Sequence, residues 1–222
     1  MTDLYHYPLD VFSRIVRIFL KEKQIDFNLI EESPWQRKKT FRDVHMFVDI
    51  PTLELSNRTI LEGTFSIINY FEKNSRASSL WGVSENEISE AHRISSLFNI
   101  YFFAEVTNNI VFEKLIRKYV DRSSPDSSSI RRGNSNIKKY FDYIDWLIDC
   151  RNWLAGETFT LADISAAAHI SCIDYLGTIE WNNYPKTKNW YARIKSRPSF
   201  REILQDRIPN MPPVSHYSNL DF

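Results

Sequence analysis

The chain opens with a short, Tyr-rich extended run, Leu4 to Pro8, and then changes period. After Asp10, the apolar residues Phe12, Ile15, Val16 and Phe19 recur at helical spacing, with Arg14, Arg17 and Lys21 on the opposite face. Asp10 is well placed to be the N-cap of that helix. A second extended run, Phe27 to Ile30, completes a strand–helix–strand order that predicts a right-handed βαβ unit. Glu31 to Val48 is polar and irregular and carries Pro34-Trp35 and the basic cluster Arg37-Lys38-Lys39. Ile50 to Leu55, the turn Ser56-Asn57-Arg58 and Thr59 to Leu61 read as a hairpin. A helix from Thr64 to about Lys73 follows, with Ile67, Ile68, Tyr70 and Phe71 inward.

Beyond a Ser-rich link at Asn74 to Ser79, the pattern is helical. Two long stretches, about Glu85 to Val120 and Ile130 to Cys150, flank the Ser-rich segment Asp121 to Gly133, which reads as a mobile loop. The buried stripe of the second is Ile137, Phe141, Ile144 and Ile148. Trp153 to Gly177 then supplies the organising element. Thr160 and Asp163 have the spacing of a reciprocal capping box, and the helix beyond has no further charge until Asp174. A helix apolar on most sides is buried on most sides, so this is the expected central helix. Pro185 opens another helix, Pro198 stops it, and Ser199 to Glu202 suggests one more capping box. The expected fold class is therefore an α/β domain followed by an all-α domain. The boundaries are residues 1–74, a linker at 75–84, a helical domain at 85–206 and a Pro-rich tail at 207–222.

Composition narrows the function classes. With 222 residues, 43% hydrophobic and 25% charged, this is an ordinary globular composition. The formal net charge of +0 gives no footprint for nucleic acid. No run is long and apolar enough to span a bilayer, and the N-terminus lacks the pattern of a signal peptide, so the expected location is the cytoplasm. Cys150 and Cys172 form neither a disulfide framework nor a redox motif. His6, His45, His92, His169 and His216 are scattered without metal-ligand spacing, so no metal is expected. His169 reads as a satisfied core histidine and Cys172 as a small core residue.

The motif L-A-G-E-T-F-T-L-A-D-I (Leu154 to Ile164), followed by Tyr184-Pro185 and by W-Y-A-R-I-K-S-R-P-S-F (Trp190 to Phe200), resembles the C-terminal domain of the glutathione S-transferase superfamily. The N-terminal part fits that superfamily's thioredoxin-like domain. The resemblance implies a cis proline at Pro51, a cytoplasmic homodimer, and glutathione as ligand or co-substrate with no other cofactor. It also implies that a Ser, Tyr or Cys at the start of the first helix activates the thiol. Here Asp10 occupies that position. An ionised carboxylate about 5 Å from the sulfur would disfavour a thiolate by about 3 kcal/mol at an effective dielectric near 20. A hydroxyl donor would have favoured it by about 1.5–3 kcal/mol. Ser13, Tyr7 and Tyr5 are the remaining candidate hydroxyls. The expected glutathione-binding set is Ile50, Pro51, Gly63 and Thr64, with Gly63 and Thr64 standing where the superfamily has Glu-Ser or Gln-Ser. His45-Met46-Phe47-Val48 replaces its Asn-Pro-Ala-Gly stretch.

Two readings follow. One is a catalytically active transferase that conjugates glutathione to small electrophiles. The other is a binding protein with a degenerate glutathione site. The Y-H-Y-P-L start, Pro34-Trp35 and the ending D-R-I-P-N-M-P-P-V-S-H-Y-S-N-L-D-F are similar to a subgroup of the superfamily that binds FtsZ polymers in alphaproteobacterial division. That similarity implies FtsZ or another division protein as partner, with Trp35, Leu220, Asp221 and Phe222 as the expected contact residues. Alternatively, the tail wraps back on its own domain. The similarity favours the binding protein over the enzyme.

Overall fold

The computed structural model describes residues 2–36, 50–74 and 78–220. β1 (Asp3–His6) pairs in parallel with β2 (Asn28–Glu31), and α1 (Val11–Glu22) connects them. β3 (Thr52–Glu54) and β4 (Ile60–Glu62) form the antiparallel hairpin. β3 lies beside β1, so the strand order is β2-β1-β3-β4. The Ile50–Pro51 bond that leads into β3 is cis. α2 (Gly63–Asn74) packs on α1 and the hairpin. This is the thioredoxin-like half.

The helical half starts with α3 (Glu85–Ser96), which runs on into a wider, π-helical stretch at Leu97–Ile116 and a last turn, α4 (Arg117–Val120). α5 (Ser127–Cys150), α6 (Leu161–Tyr175), α7 (Pro185–Lys195) and α8 (Pro198–Leu204) follow. Every residue of α6 is buried, and α1, α3, the π-helical stretch and α7 all touch it. Its capping box is present in full. The Asp163 carboxylate also accepts from the Leu154 amide and the Trp190 indole, each at 3.0 Å. These bonds favour the charged carboxylate. Burial nonetheless outweighs them and pushes the acid up to about 6.

Two expectations fail for identifiable reasons. The Ser-rich segment is mostly helix, because Asp126 caps α5 by accepting from the Ser128 amide at 2.8 Å and from the Ser128 and Ser129 hydroxyls. Gly133 permits α5 to lie against Ile110, since a Cβ there would stand 2.7 Å from the Ile110 side chain. The face of α1 that carries Arg14 and Arg17 is covered. Both are buried against the helical half, where the fully buried Arg14 donates to the Pro8 carbonyl and the Ser171 hydroxyl, each at 2.7 Å. The capping box expected at Ser199 is absent. The Ser199 hydroxyl donates instead to Glu22 of α1, which Arg197 also grips with two bonds of 2.7 Å.

The tail folds back on the helical half through residue 220. Tyr217 is fully buried and edge-on to Tyr175, with ring centroids 5.2 Å apart. The Tyr175 hydroxyl accepts from the Ile208 amide and donates to the Met211 carbonyl. His216 meets the buried carboxylate of Asp174 at 3.0 Å. Leu220 is partly buried against the core, while Asp221 and Phe222 lie outside the described residues.

Candidate functional site

The cleft of interest lies where the start of α1 faces the π-helical stretch. The turn before α1 is tightly held, with the Asp10 amide donating to the Tyr7 carbonyl at 3.1 Å. The Asp10 carboxylate accepts from the Ser13 amide at 2.6 Å, so it acts as the N-cap of α1. This charge therefore already interacts with the positive helix terminus that a thiolate would use. A second anion placed there would meet a carboxylate rather than a donor.

The candidate hydroxyls do not converge on this point. Ser13 is fully buried, does not line the cleft, and its oxygen accepts from the Tyr7 amide at 3.4 Å. Tyr5 bonds to Glu54 on the hairpin, and burial with that carboxylate pushes its phenol up. Tyr7 does line the cleft. Burial, with Glu31 adding to it, pushes its phenol far up, so it is a neutral group at physiological pH.

Trp35 closes the space. Its ring stacks flat on Tyr119, with centroids 4.7 Å apart and planes 4° apart, and meets Tyr7 edge-on at 4.9 Å. This places an aromatic bridge between the two halves of the molecule. The cavity left beneath it is about 100 Å³, bounded by Tyr7, Asp10, Trp35, Phe103, Val111 and Leu115 among others. Ligand clefts for drug-sized molecules run to about 300–1,000 Å³, so this one takes only a small group. Tyr119 and the Val111–Leu115 wall were not legible as site residues, because their contact with Trp35 and Tyr7 is made only by the packing of one half on the other.

The four expected peptide-binding residues do come together. The Gly63 amide donates to the Pro51 carbonyl at 3.0 Å, which sets Ile50-Pro51 beside the start of α2. Gly63 has φ +77° with open space around its missing Cβ, so the backbone conformation, not crowding, calls for glycine. Thr64 follows in the first turn of α2. The cluster Arg37-Lys38-Lys39 and the segment His45 to Val48 lie outside the described residues.

The other candidates are structural. His169 sits in the core between the Thr107 hydroxyl at 2.7 Å and the Asn99 side chain at 3.3 Å, and burial lowers it to about 3. Cys172 is buried, with its thiol on the Leu9 carbonyl and pushed up to about 11. Among the described residues no cluster of His, Cys, Asp or Glu could hold a metal ion, and no helix is long and apolar enough to cross a membrane.

Comparison with known proteins places the fold in a family. Residues 11–74 match the family model for the glutathione S-transferase N-terminal domain, and residues 113–207 match that for the C-terminal domain. The chain is 36% identical to FtsZ-localized protein A of Caulobacter vibrioides over 99% of its own length and 97% of the relative's. The solved structure of FzlA from C. crescentus superposes with a TM-score of 0.94 at 35% identity, covering 100% of this chain and 99% of that one. A structure from Rhodospirillum rubrum F11, described as a glutathione S-transferase, superposes with a TM-score of 0.96 at 39% identity over the whole of both chains.

Proposed function

Since the chain belongs to the glutathione S-transferase family, the question is which use of that fold it serves, and we propose that it is a binding protein of bacterial cell division that associates with FtsZ polymers. One observation carries the choice between this and conjugation. The cleft that would hold a thiolate presents the capping carboxylate of Asp10 under a Trp35–Tyr119 stack. The full-length similarity to FtsZ-localized protein A supports the partner. Glutathione, on this reading, is at most a weak ligand of the Ile50-Pro51 and Gly63-Thr64 frame.

The proposal includes a homodimer. Ile100 (59% exposed), Tyr101 (58%) and Trp146 (58%) expose apolar surface, and Tyr101 and Tyr143, on which Trp146 stacks, line a groove of about 530 Å³. Surface of this kind is characteristic of an interaction site. A Tyr101→Arg variant is expected to sediment as a monomer where the parent sediments as a dimer.

The function itself is tested by location. A fluorescent fusion of the full chain, expressed in Caulobacter vibrioides, is expected to mark the FtsZ ring and to disperse when FtsZ is depleted. Diffuse fluorescence in dividing cells, together with measurable conjugation of glutathione, would return the chain to the enzymes.

A further inference from the structure

We propose that Lys114 is an acylation site, taking short aliphatic acyl groups from acyl thioesters in the groove between the end of α6 and the docked tail. The groove has a volume of about 290 Å³ and is walled by Pro125, Tyr175, Leu176, Met211, Pro212 and Val214. Apart from Lys114, its ionisable lining is a single phenol, that of Tyr175. An apolar cleft with one reactive polar group is suited to a short hydrocarbon chain with a reactive carbonyl at its head.

The lysine is set up for nucleophilic attack. Lys21, Lys23, Lys138 and Lys186 each pair with a carboxylate at 2.6–2.9 Å. Lys114 Nζ donates to the Leu176 carbonyl at 3.3 Å and has no carboxylate within ion-pair distance among the described residues. Half-burial lowers its pKa, with no charged group contributing. A desolvated amine holds more of the unprotonated form that reacts. Lys138 and Lys186 are instead held as ammonium ions by Asp142 and Asp149.

The step balances without any further reagent. The Nζ lone pair attacks the thioester carbonyl carbon, a C–N bond forms and the C–S bond breaks. The sulfur leaves as thiolate with the bonding pair, and the proton lost from nitrogen goes to solvent or to that thiolate. The product is a neutral amide, and its acyl chain lies against Met211, Pro212 and Val214. Modification thus changes the surface on which the tail rests.

The test uses the full folded chain and two defined probes, the acetyl and the butyryl thioesters of N-acetylcysteamine, with labelling rates read per lysine by peptide mass spectrometry. Lys114 is expected to react several-fold faster than Lys138 and Lys186, with a larger advantage for butyryl than for acetyl, and the advantage should vanish in denaturant. A Met211→Glu variant, which puts a carboxylate at the groove, is expected to slow Lys114 several-fold and leave Lys138 unchanged. Equal or slower labelling of Lys114, a preference that persists in denaturant, or indifference to Met211→Glu would each overturn the proposal.

Discussion

Arg17 holds Asp206 with two hydrogen bonds, of 2.8 and 3.0 Å, across the junction of the two halves of the molecule. Arg14 reaches the same carboxylate at 3.4 Å. The helix that should shape a catalytic site is thereby clamped to the segment that leads into the tail. Removing the carboxylate leaves two buried guanidinium groups without their counter-ion. Asp206→Ala is expected to cost about 3–5 kcal/mol in denaturant unfolding. An Arg14→Met, Arg17→Met, Asp206→Leu triple variant should recover much of that, because breaking a buried ionic group costs more than replacing all of it.

Asp10 separates a structural role from a chemical one. Asp10→Ala is expected to lower stability by about 1 kcal/mol through loss of the cap. Asp10→Ser keeps a cap, and both Asp10→Ser and Asp10→Cys remove the charge that opposes a thiolate. Both variants should raise the thiolate absorbance of added glutathione above that of the parent. Unchanged absorbance would contradict the electrostatic argument.

Asp163 makes a pH signature. Its acid lies at about 6 in the folded chain against an ordinary value near 4 in the unfolded one. Between these values the folded state holds a proton that the unfolded state has lost. Its contribution to stability is therefore full below about pH 4 and is lost as the pH rises to about 6. The stability of the parent relative to Asp163→Asn should fall across that window, by on the order of 2–3 kcal/mol at most, and be flat above it. Paired urea titrations at a series of pH values measure this.

The tail divides at Asn219. Tyr217 is fully buried, and the Ser218 hydroxyl donates to the Leu204 carbonyl at 3.2 Å. Tyr217→Ala is expected to cost about 3–5 kcal/mol, as large buried aromatic side chains do. Deleting residues 219–222 leaves that anchor in place and removes only the partly buried contact of Leu220, so it should cost less than Tyr217→Ala. It should weaken FtsZ binding if Leu220 and the residues after it form contacts with the partner.

Much of this molecule was legible in its sequence where the signal is local. Thr160 and Asp163 mark the start of α6, the charge-free run after them marks its burial, and the hairpin reads from Ile50-Pro51 and its turn. Much of what was not legible is tertiary. Nothing in α1 reveals that Asp206 will pack against the face of Arg14 and Arg17. The serines after Asp126 read as loop from their composition, and the local cap by one carboxylate makes them helix. The stack of Trp35 on Tyr119 comes only from the packing of one half on the other. At the site, the identity of Asp10 is a local signal, since an ionised carboxylate there disfavours a thiolate.

The measurement that bears most directly on the account is co-sedimentation of the purified full chain with GTP-assembled FtsZ polymers, in the absence of glutathione. The account predicts that the chain pellets with polymer, saturates with its concentration, and stays in the supernatant when FtsZ is kept unassembled with GDP. A chain that remains in the supernatant with assembled polymer, at concentrations where it is folded, would contradict it.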